Sequence, residues 1–352
     1  MEFETDLFGK LPVFHHGFRP GYQVNEAILA TKLIIERSTE YGVPLCLSKL
    51  DIKKAFDRIS HGVIADALAY FGFHPTISRA IMRELFEGTL TVCTPDGLST
   101  PPIPQLRGVR QGGCSSPALF IFALAYLLRD LPAKWALEGK GWVLDDLRIP
   151  ILAFADDLLL AACSPDHLQD MVQDLIGALA KGGLELSADK AEWSGNGLIS
   201  NSAILLLHGT VVQRHAANEP WRYLGAHLTL DGSTLPDVAH HIVCSWKKFW
   251  SMRKWLMRRS IPLCKRLNLW QLALDSVCLW NSGTWTLSPE ARQQLKSMEL
   301  SQYMKIAMHP RRPEERGWDY RQRTARLFQA YLRKRGSGDL VYRAALDRKS
   351  VV

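Results

Sequence analysis

Apolar residues recur along the chain at two spacings, and each spacing predicts a different kind of element. The apolar run from Leu45 to Leu50 predicts a buried strand that delivers Asp51 at its C-terminal end. Apolar positions that recur every three to four residues predict helices. These rules predict, in the first third of the chain, helices over 61–73 and 75–88 and a hairpin of 89–94 with 98–104 around Pro95-Asp96-Gly97.

The middle of the chain alternates predicted helices with short strands. An apolar helix is predicted to begin near Pro117 with Ser116 as its N-cap. Ser164-Pro165 repeats this start before a helix that runs to about Lys181. Short apolar runs predict strands over 184–187, 203–208 and 223–230. From Pro236 the pattern becomes helical, with one apolar stripe formed by Val238, Ile242, Ser245, Phe249, Met252 and Leu256.

One apolar run, ILAFADDLLLAA from Ile151 to Ala162, contains two adjacent carboxylates, Asp156 and Asp157. The run predicts a buried strand, or two short strands joined by a tight turn. Two like charges in such a place need a basic partner, a shared proton or a bound cation. Because no Lys or Arg lies between Arg148 and Lys181, a divalent cation is the economical solution. An exposed Asp-containing turn is the alternative.

Asp51 is the partner that such a cation site needs. If its strand neighbours the Asp156-Asp157 turn in one sheet, three carboxylates converge. All-oxygen ligands favour Mg²⁺, with Mn²⁺ as the alternative. Three carboxylates can hold two divalent ions about 4 Å apart, an arrangement that supports nucleotidyl transfer to a primer 3′-hydroxyl. The pattern therefore predicts a two-metal site.

Composition and charge limit the class of protein. The 352 residues suffice for a sizeable core and more than one domain. Seven scattered Cys without a CxxC pair indicate reduced thiols, and His240, His241, Cys244 and Cys264 fit packing better than a zinc site. The acidic N-terminus lacks a signal-peptide core, and the apolar stretch from Ala118 to Leu128 is short for a bilayer. We therefore expect an intracellular protein, in the nucleus, the cytoplasm or both, without a membrane partner.

Charge is divided unevenly along the chain. Residues 1–234 carry 20 Lys and Arg against 26 Asp and Glu, whereas residues 235–352 carry 23 against 9. Eight basic residues and no acidic residue lie between Lys247 and Arg266, interleaved with Trp250 and Trp255. This pattern predicts a nucleic-acid surface, and a solvated cationic face is the alternative. The candidate backbone contacts are Lys247, Lys248, Arg253, Lys254, Arg258 and Arg259.

Six segments in order resemble the reverse transcriptases of non-LTR (LINE-type) retrotransposons. They are GFRPG (17–21), LDIKKAFDRI around Asp51, RGVRQGGCSSPALF around Gln111, FADDLLL around Asp156, GLELSADK ending at Lys190, and YLGAHL from Tyr223. The resemblance implies an α/β (α+β) fold: a right-hand polymerase palm with an antiparallel ferredoxin-like sheet, partial fingers and a helical thumb. It also implies an RNA template, a DNA primer, dNTPs and Mg²⁺ or Mn²⁺ as partners.

The resemblance assigns roles residue by residue. Asp51 and Asp156 match the principal metal ligands, Asp157 a third, and the backbone carbonyl of Ile52 completes the set. Lys190 matches a lysine that protonates pyrophosphate. A second group would contact the nucleotide or the primer: Phe56 as the steric gate against a ribose 2′-hydroxyl, Gln111 and Gly112 beside the incoming nucleotide, and Tyr223, Leu224 and Gly225 at the primer end. Core packing for Phe56 and an exposed surface lysine for Lys190 are the alternatives, and Asp57 is interpreted as structural.

Departures from the family pattern define the competing hypotheses. In the segment around Gln111, which is motif B of the family, Cys114 stands where the first proline usually lies. The chain starts just before GFRPG, so we expect an N-terminally truncated domain. Lys53, Lys54, Arg107 or Arg110 would then replace missing finger residues. The expected division is a fingers remnant (1–44), a palm with inserted fingers (45–233), a thumb (234–300) and a basic tail (301–352). Alternatives are an inactive fragment that only binds nucleic acid, and a group II intron maturase-like or RNA-dependent RNA polymerase.

Overall fold

A computed structural model describes residues 7–351. These residues form helices and short strands that follow the spacing of the apolar positions. The helices before residue 220 are α1 (Val24–Glu40), α2 (Ala55–Arg58), α3 (His61–Tyr70), α4 (Pro75–Phe86), α5 (Ser116–Leu128), α6 (Leu131–Leu137) and α7 (Pro165–Lys181). The strands of this part are β1 (Cys46–Asp51), β2 (Thr89–Leu90), β3 (Ile103–Pro104), β4 (Trp142–Leu144), β5 (Leu147–Ile149), β6 (Ile151–Phe154), β7 (Asp157–Ala162), β8 (Glu192–Gly195), β9 (Leu206–Leu207), β10 (Thr210–Val211) and β11 (Gln213–His215).

The remainder of the chain is mainly helical. It contains β12 (Trp221–Tyr223), β13 (Ala226–Leu228), α8 (Leu235–Ser251), α9 (Arg253–Leu256), α10 (Leu263–Cys278), α11 (Pro289–Ala307), α12 (Gly317–Lys334) and α13 (Leu340–Val351). The chain forms two compact units, Met1–Glu219 and Pro220–Val352. The expected division at 300 falls inside α11, and the expected division at 233 lies after the boundary between the units. The names fingers, palm and thumb for these parts stay predictions.

The five-stranded sheet of the first unit has the strand order β11-β8-β1-β7-β6. β1 lies between β7 and β8 and is antiparallel to both, and β6 is antiparallel to β7. With the helices that follow β1 and with α7 after β7, these four strands form the β-α-β-β-α-β order of a ferredoxin-like sheet. The predicted antiparallel sheet is therefore present, with one difference: the edge strand β11 pairs with β8 in parallel.

Helices α3, α5 and α7 share one hydrophobic core with the sheet. Nearly every side chain of α5 is buried, which explains its almost uninterrupted apolar sequence. α7 begins as predicted, because the Ser164 hydroxyl accepts a hydrogen bond from the His167 N–H. The N-cap of α5 is Ser115 rather than Ser116. Ser116 is the first helical residue and instead donates its hydroxyl to the Arg110 carbonyl, at 2.6 Å.

Several predicted strands are shorter than their apolar runs. Residues 184–187 contribute only an isolated bridge between Leu186 and Ile52, and residues 203–208 contribute only β9. The predicted hairpin around Pro95-Asp96-Gly97 is present, with β2 paired to β3. The predicted strand over 223–230 is wrong, because Leu224 and Gly225 form the turn between β12 and β13 and both have positive φ.

The helices of the second unit enclose a separate core that includes Phe249, Trp270, Leu295 and Phe328. On the predicted stripe of α8 and α9, Val238, Ser245, Phe249 and Leu256 are buried, whereas Ile242 and Met252 are only partly covered. α12 and α13 contribute Phe328, Leu332, Leu340 and Ala344 to this core. The C-terminal residues expected as a basic tail are therefore packed helices of the second unit.

One helical stretch, Ser116–Leu137, is long and apolar enough to cross a membrane by length and composition alone, among the residues that the structure describes. It is longer than the apolar run that the sequence suggested, because α5 continues almost directly into α6. More than half of its most apolar window is buried, as in the core helix of a soluble domain.

Candidate active site

The two adjacent carboxylates lie at a hairpin turn. β6 and β7 pair antiparallel with Phe154 opposite Asp157, so Ala155 and Asp156 form a two-residue turn. Such turns need a positive φ that matches the twist of the strands, and Ala155 has φ +56°. A side chain with a Cβ is strained in this region, and strained backbone of this kind is concentrated at functional sites. Of the two expected forms of ILAFADDLLLAA, the structure contains the pair of short strands.

Asp51 lies directly beside this turn, as predicted. It is the last residue of β1, and its pairing partner in β7 is Asp157. The next residue donates its backbone N–H to the carbonyl of Asp156, with 3.3 Å between Ile52 N and Asp156 O. Residues that oppose each other in an antiparallel pair point to the same face of the sheet, and like charges there are destabilising. The geometry therefore concentrates negative charge at one edge of the site.

The pKa values of the turn carboxylates reflect this concentration. Burial raises the pKa of Asp157 to about 6, and the charges of Asp156 and Asp51 raise it further. Burial also raises the pKa of Asp156, against the opposing effect of its own backbone N–H. An ionised carboxylate is disfavoured at both positions because burial removes water from it and neighbouring carboxylates repel it. A cation bound between them would remove this penalty.

Lys190 supplies part of the missing positive charge. It ends a 3₁₀ helix, Ala188–Lys190, and its Nζ lies 2.9 Å from Oδ2 of Asp51. The hydrogen bond to Asp51 raises the pKa of Lys190, so its amine stays protonated at neutral pH. The lysine is exposed, but it is held at the carboxylates rather than directed freely into solvent. The sequence did not reveal this ion pair, since the two residues are 139 positions apart.

The donor set suits a hard divalent cation. Asp51, Asp156 and Asp157 supply only oxygen ligands. Burial and, after it, repulsion from neighbouring carboxylates raise the pKa values of Asp156 and Asp157. Within residues 7–351, however, no group of three or more His, Cys, Asp or Glu side chains is arranged to hold a metal ion as it stands. One oxygen of Asp51 is engaged by Lys190. A cation could bind the other oxygen of Asp51 or displace the ammonium from it.

A glycine near the N-terminus supports the turn from outside the sheet. Phe14 and His16 form backbone hydrogen bonds of 2.8 Å with Ala153, on the free side of β6. A Cβ added to Gly17 would overlap the backbone nitrogen of Ala155 and would lie 2.9 Å from the Phe154 carbonyl carbon. Only glycine lets the two backbones approach this closely. Sequence reasoning missed this role, although GFRPG itself was the signal that could have identified it.

Phe56 lies between two other aromatic rings. It stacks on Phe120 with 5.0 Å between the ring centroids, and the Phe18 ring meets it edge-on at 6.3 Å. Its backbone carbonyl accepts a hydrogen bond from Val109, at 2.7 Å. The packing alternative for Phe56 is therefore partly correct, because the ring is half-buried. Its remaining exposed surface is what a steric gate needs.

The motif B loop packs against the helix that carries Phe56. Gln111 donates its amide to the Asp57 carboxylate at 2.9 Å, so Asp57 has a structural partner 54 positions away in the chain. Gly112 has φ +83° and no protein atom near its absent side chain. Glycine is required there by backbone conformation, not by the close approach of another segment. Cys114 is exposed in this loop.

The other basic candidates near the site differ in their partners. Lys53 lies 3.8 Å from Glu185, which also pairs with Arg58 at 2.6 Å. Arg107 and Arg110 are exposed. Lys54 is also exposed, and Lys54, Arg107 and Arg110 are better placed than Lys53 to meet a phosphate, because no carboxylate forms an ion pair with them within residues 7–347.

The predicted primer residues belong to the second unit. Tyr223 is buried at the end of β12, and Leu224 has φ +47°. Gly225 has φ +91°, and an added Cβ would lie 2.7 Å from the indole of Trp280. The turn is therefore rigid and tightly packed.

The predicted nucleic-acid surface is exposed in the second unit. Lys247, Lys248, Arg253, Lys254, Arg258 and Arg259 are all exposed. None of these six forms an ion pair within residues 7–347, whose side chains are described. Trp250 and Trp255 are exposed beside them, at 45% and 58%. Arg266 is the exception to the predicted cationic face, because it is buried and donates to the carbonyls of Leu256 and Ile306.

The second unit also contains the residues first considered for zinc. The Nε2 atom of His240 lies 3.3 Å from the Cys244 sulfur, and the His240 ring packs against His227 at 4.2 Å between centroids. His241 stacks on Trp280, and Cys264 is exposed. All seven cysteines are free thiols.

Solved structures similar to this one come from telomerases. The telomerase of Candida tropicalis in complex with a fragment of telomeric RNA has a TM-score of 0.50, with 12% identity over 87% of this chain and 50% of that chain. The apo form gives the same TM-score, covering 54% of that chain. At this identity the similarity concerns the fold alone, which is the right-hand polymerase fold that the resemblance implied.

Sequence relatives come from retrotransposable elements. A Pol polyprotein of a type-1 element R2 from Popillia japonica is 31% identical over 224 residues, 62% of this chain and 31% of the relative. A type-2 element R2DM protein from Drosophila melanogaster is 29% identical over 233 residues, 64% of this chain and 22% of the relative. The similarity to these R2 proteins confirms the non-LTR resemblance. The chain spans less than a third of the length of these two relatives. Residues 6–228 match the family described as reverse transcriptase (RNA-dependent DNA polymerase), and the chain belongs to that family.

Proposed function

We propose that this chain is an RNA-directed DNA polymerase that adds dNTPs to the 3′-hydroxyl of a DNA primer on an RNA template. The proposal rests on the pairing of Asp51 with Asp157 beside the Asp156 turn. Family membership supports divalent-metal chemistry in general. The use of Mg²⁺, two ions per site and the roles of individual residues are part of the proposal.

The carboxylates of Asp51, Asp156 and Asp157, together with the Ile52 carbonyl, would hold the metal. Divalent cations bound there would lower the pKa of the primer hydroxyl and neutralise the charge that develops on the phosphates. The chain's own contribution is to fix the carboxylates in position. β1 and β7 do so through their ladder, and Gly17 holds the turn from the other side.

Lys190 would hold the proton that the leaving pyrophosphate receives. Its ammonium pairs with Asp51 at 2.9 Å. A cation that takes over this carboxylate would free the lysine for the phosphates. Its raised pKa keeps the proton available at neutral pH.

The remaining residues would select and position substrates. Phe56 would exclude a ribose 2′-hydroxyl with the exposed part of its ring, and Gln111 and Gly112 would border the incoming nucleotide. The Tyr223-Leu224-Gly225 turn would support the primer end. The six exposed basic residues from Lys247 to Arg259 would bind the sugar-phosphate backbone, with Trp250 and Trp255 available for stacking.

The direct test is synthesis by the purified chain. Oligo(dT)-primed poly(rA), labelled dTTP and Mg²⁺ should give primer extension by the wild type. Asp156→Ala should abolish it, because removal of a ligand destroys the metal geometry. Asp146→Ala changes an exposed carboxylate at the β4–β5 turn and should extend normally. No extension by a folded wild-type chain, or extension by Asp156→Ala, would contradict the proposal.

A further inference from the structure

Phe18 follows directly on the glycine that contacts the Asp156 turn, and its ring meets Phe56. The Phe18 backbone has φ +55°, a left-handed conformation that bulky residues rarely adopt. Its ring is 50% exposed, so burial of the ring does not explain why the residue is held there. An unfavourable conformation that persists without burial points to a functional constraint.

The contact between the two rings is directional. The ring planes of Phe18 and Phe56 lie at 87° to each other with 6.3 Å between centroids, which is the edge-to-face arrangement. A second constraint comes from Phe120, whose ring stacks on the Phe56 ring at 25°. The Phe56 ring is therefore limited on two sides, by a core residue and by an exposed one.

The backbones of both residues are also fixed. The Phe56 carbonyl accepts a hydrogen bond from Val109, at 2.7 Å. Phe18 is tied to the sheet through Gly17, which packs on Ala155, and through His16, which donates to Ala153 at 2.8 Å. A short, rigid connection thus links the turn of Asp156 to the ring of Phe56.

We propose that Phe18 is a positioning residue that holds the Phe56 ring in the orientation that distinguishes dNTPs from rNTPs. The consequence for specificity rests on the proposed polymerase function. Phe18 acts through Phe56 and has no contact of its own with substrate in this scheme. Removal of its ring should let the Phe56 ring move and admit a 2′-hydroxyl.

A double-mutant cycle tests the consequence. The ratio of kcat/KM for dTTP to that for UTP is measured on primed poly(rA). Phe18→Ala should lower this ratio by between about 2-fold and 150-fold, the range for coupled neighbours. In a Phe56→Ala background, Phe18→Ala should lower it no further. An equal loss in both backgrounds would show that Phe18 acts independently of Phe56 and would overturn the proposal.

Matched variants separate the ring from the backbone. Phe18→Gly removes the ring and also relieves the strain of positive φ. This variant should lower the discrimination between dTTP and UTP as much as Phe18→Ala does. Phe18→Tyr keeps an aromatic edge and should discriminate as the wild type does. Val13→Ala changes a residue in the same segment that is 79% exposed, and should leave discrimination as in the wild type. Retained discrimination in both Phe18→Ala and Phe18→Gly would overturn the proposal.

A spectroscopic test does not depend on synthesis. The protein is labelled with 4-fluorophenylalanine, and the Phe56 resonance is assigned by its loss in Phe56→Leu. Phe18→Ala should shift this resonance, whereas Val13→Ala should not. A wild-type chain that makes no product would contradict the proposed function, while the fluorine spectrum still tests whether Phe18 holds Phe56. An unshifted Phe56 resonance in Phe18→Ala would overturn the positioning role.

Discussion

Asp51 and Asp157 are direct partners in the antiparallel ladder of β1 and β7, so two carboxylates stand side by side on one face of the sheet. Burial raises the pKa of Asp157 to about 6, and repulsion from Asp156 and Asp51 adds to this effect. Such an arrangement is stable only if the sheet around it contributes enough to offset the repulsion. The surrounding strands do so, since Leu50, Leu158 and Leu160 are fully buried.

Asp157→Asn should separate folding from cation binding. With EDTA present at neutral pH, we expect the free energy of unfolding of the variant to be about 1 kcal/mol higher than that of the wild type. The variant is more stable because the repulsion between two opposed like charges is removed. Mg²⁺ should stabilise the wild type and have little effect on the variant. Asp146→Asn is the matched control. A lower stability in EDTA would contradict the repulsion that we infer.

Gly17→Ala should disturb the Asp156 turn from a distance of 139 residues in the chain. The new Cβ must push the Ala155 backbone away, and overpacking of this kind costs about 1–3 kcal/mol. Primer extension should fall more than the fraction of folded protein does, because the carboxylates are displaced. Gly9→Ala is the matched control, since no atom lies within 4 Å of its added Cβ. Equal stability and synthesis in the two variants would show that the turn accommodates the methyl group.

Lys190→Gln should have opposite effects on metal affinity and on turnover. The ammonium and a cation compete for Asp51, so removal of the charge should tighten Mn²⁺ binding in the absence of dNTP. Loss of the proton donor should slow dTTP addition by about 100-fold, a typical effect for general acids. Lys181→Gln, at an exposed lysine, should change neither. Weaker Mn²⁺ binding in Lys190→Gln would refute the competition.

Reversal of charge at Lys247 and Lys248 should alter the salt dependence of RNA binding. Each phosphate contact that is lost reduces the slope of log K against log salt by about 0.7 for a single strand, so the double variant should lose about 1.4 or more. Arg79→Glu with Lys181→Glu gives the same change in net charge in the first unit. Filter binding of poly(rA) between low and moderate salt compares the two. Identical slopes would show that the predicted surface does not contact RNA.

Glu299 should make the second unit less stable as pH rises. Its side chain is 1% exposed, and burial raises its pKa to about 7 despite the nearby Arg343. The folded protein therefore holds this proton more tightly than the unfolded chain, whose ordinary value is 4.5. The stabilisation is complete below about pH 4.5 and is lost as pH rises through about 7. Urea unfolding followed by tryptophan fluorescence should show this decline between pH 4.5 and 7.

The matched variant for this prediction is Glu299→Gln. It keeps most of the side chain's shape, and the amide does not titrate. Glu290→Gln alters an exposed carboxylate on the same helix, α11, and should retain the decline. The same pH slope in the wild type and in Glu299→Gln would assign the decline to other groups.

Much of the fold followed from local pattern. β1 and α7 lie almost where the apolar spacing and the Ser164 cap predicted them. Both could be predicted because the apolar run of β1 and the cap of α7 are local features of the sequence. The convergence of Asp51 with the Asp156 turn was also predictable, since a buried pair of carboxylates demands a cation and further ligands. Motif order then named the family.

What was not predictable depends on which distant segments meet. The overlap of Gly17 with Ala155, the ion pair of Lys190 with Asp51 and the bond from Gln111 to Asp57 join residues far apart in sequence. Burial of Arg266 was missed because its partners are backbone carbonyls, which have no sequence signature. The packing of α12 on the core was not predicted because exposed arginines dominate the composition of this segment.

The most direct test of the central claim is the number of Mn²⁺ ions bound, measured by electron paramagnetic resonance. The chain is held with dideoxy-terminated primer, poly(rA) template and dTTP, so that no chemistry occurs. We predict about two ions per wild-type chain, as in two-metal transferases, and a clear loss in Asp51→Ala and Asp156→Ala. Equal Mn²⁺ binding by the wild type and both variants would contradict the account.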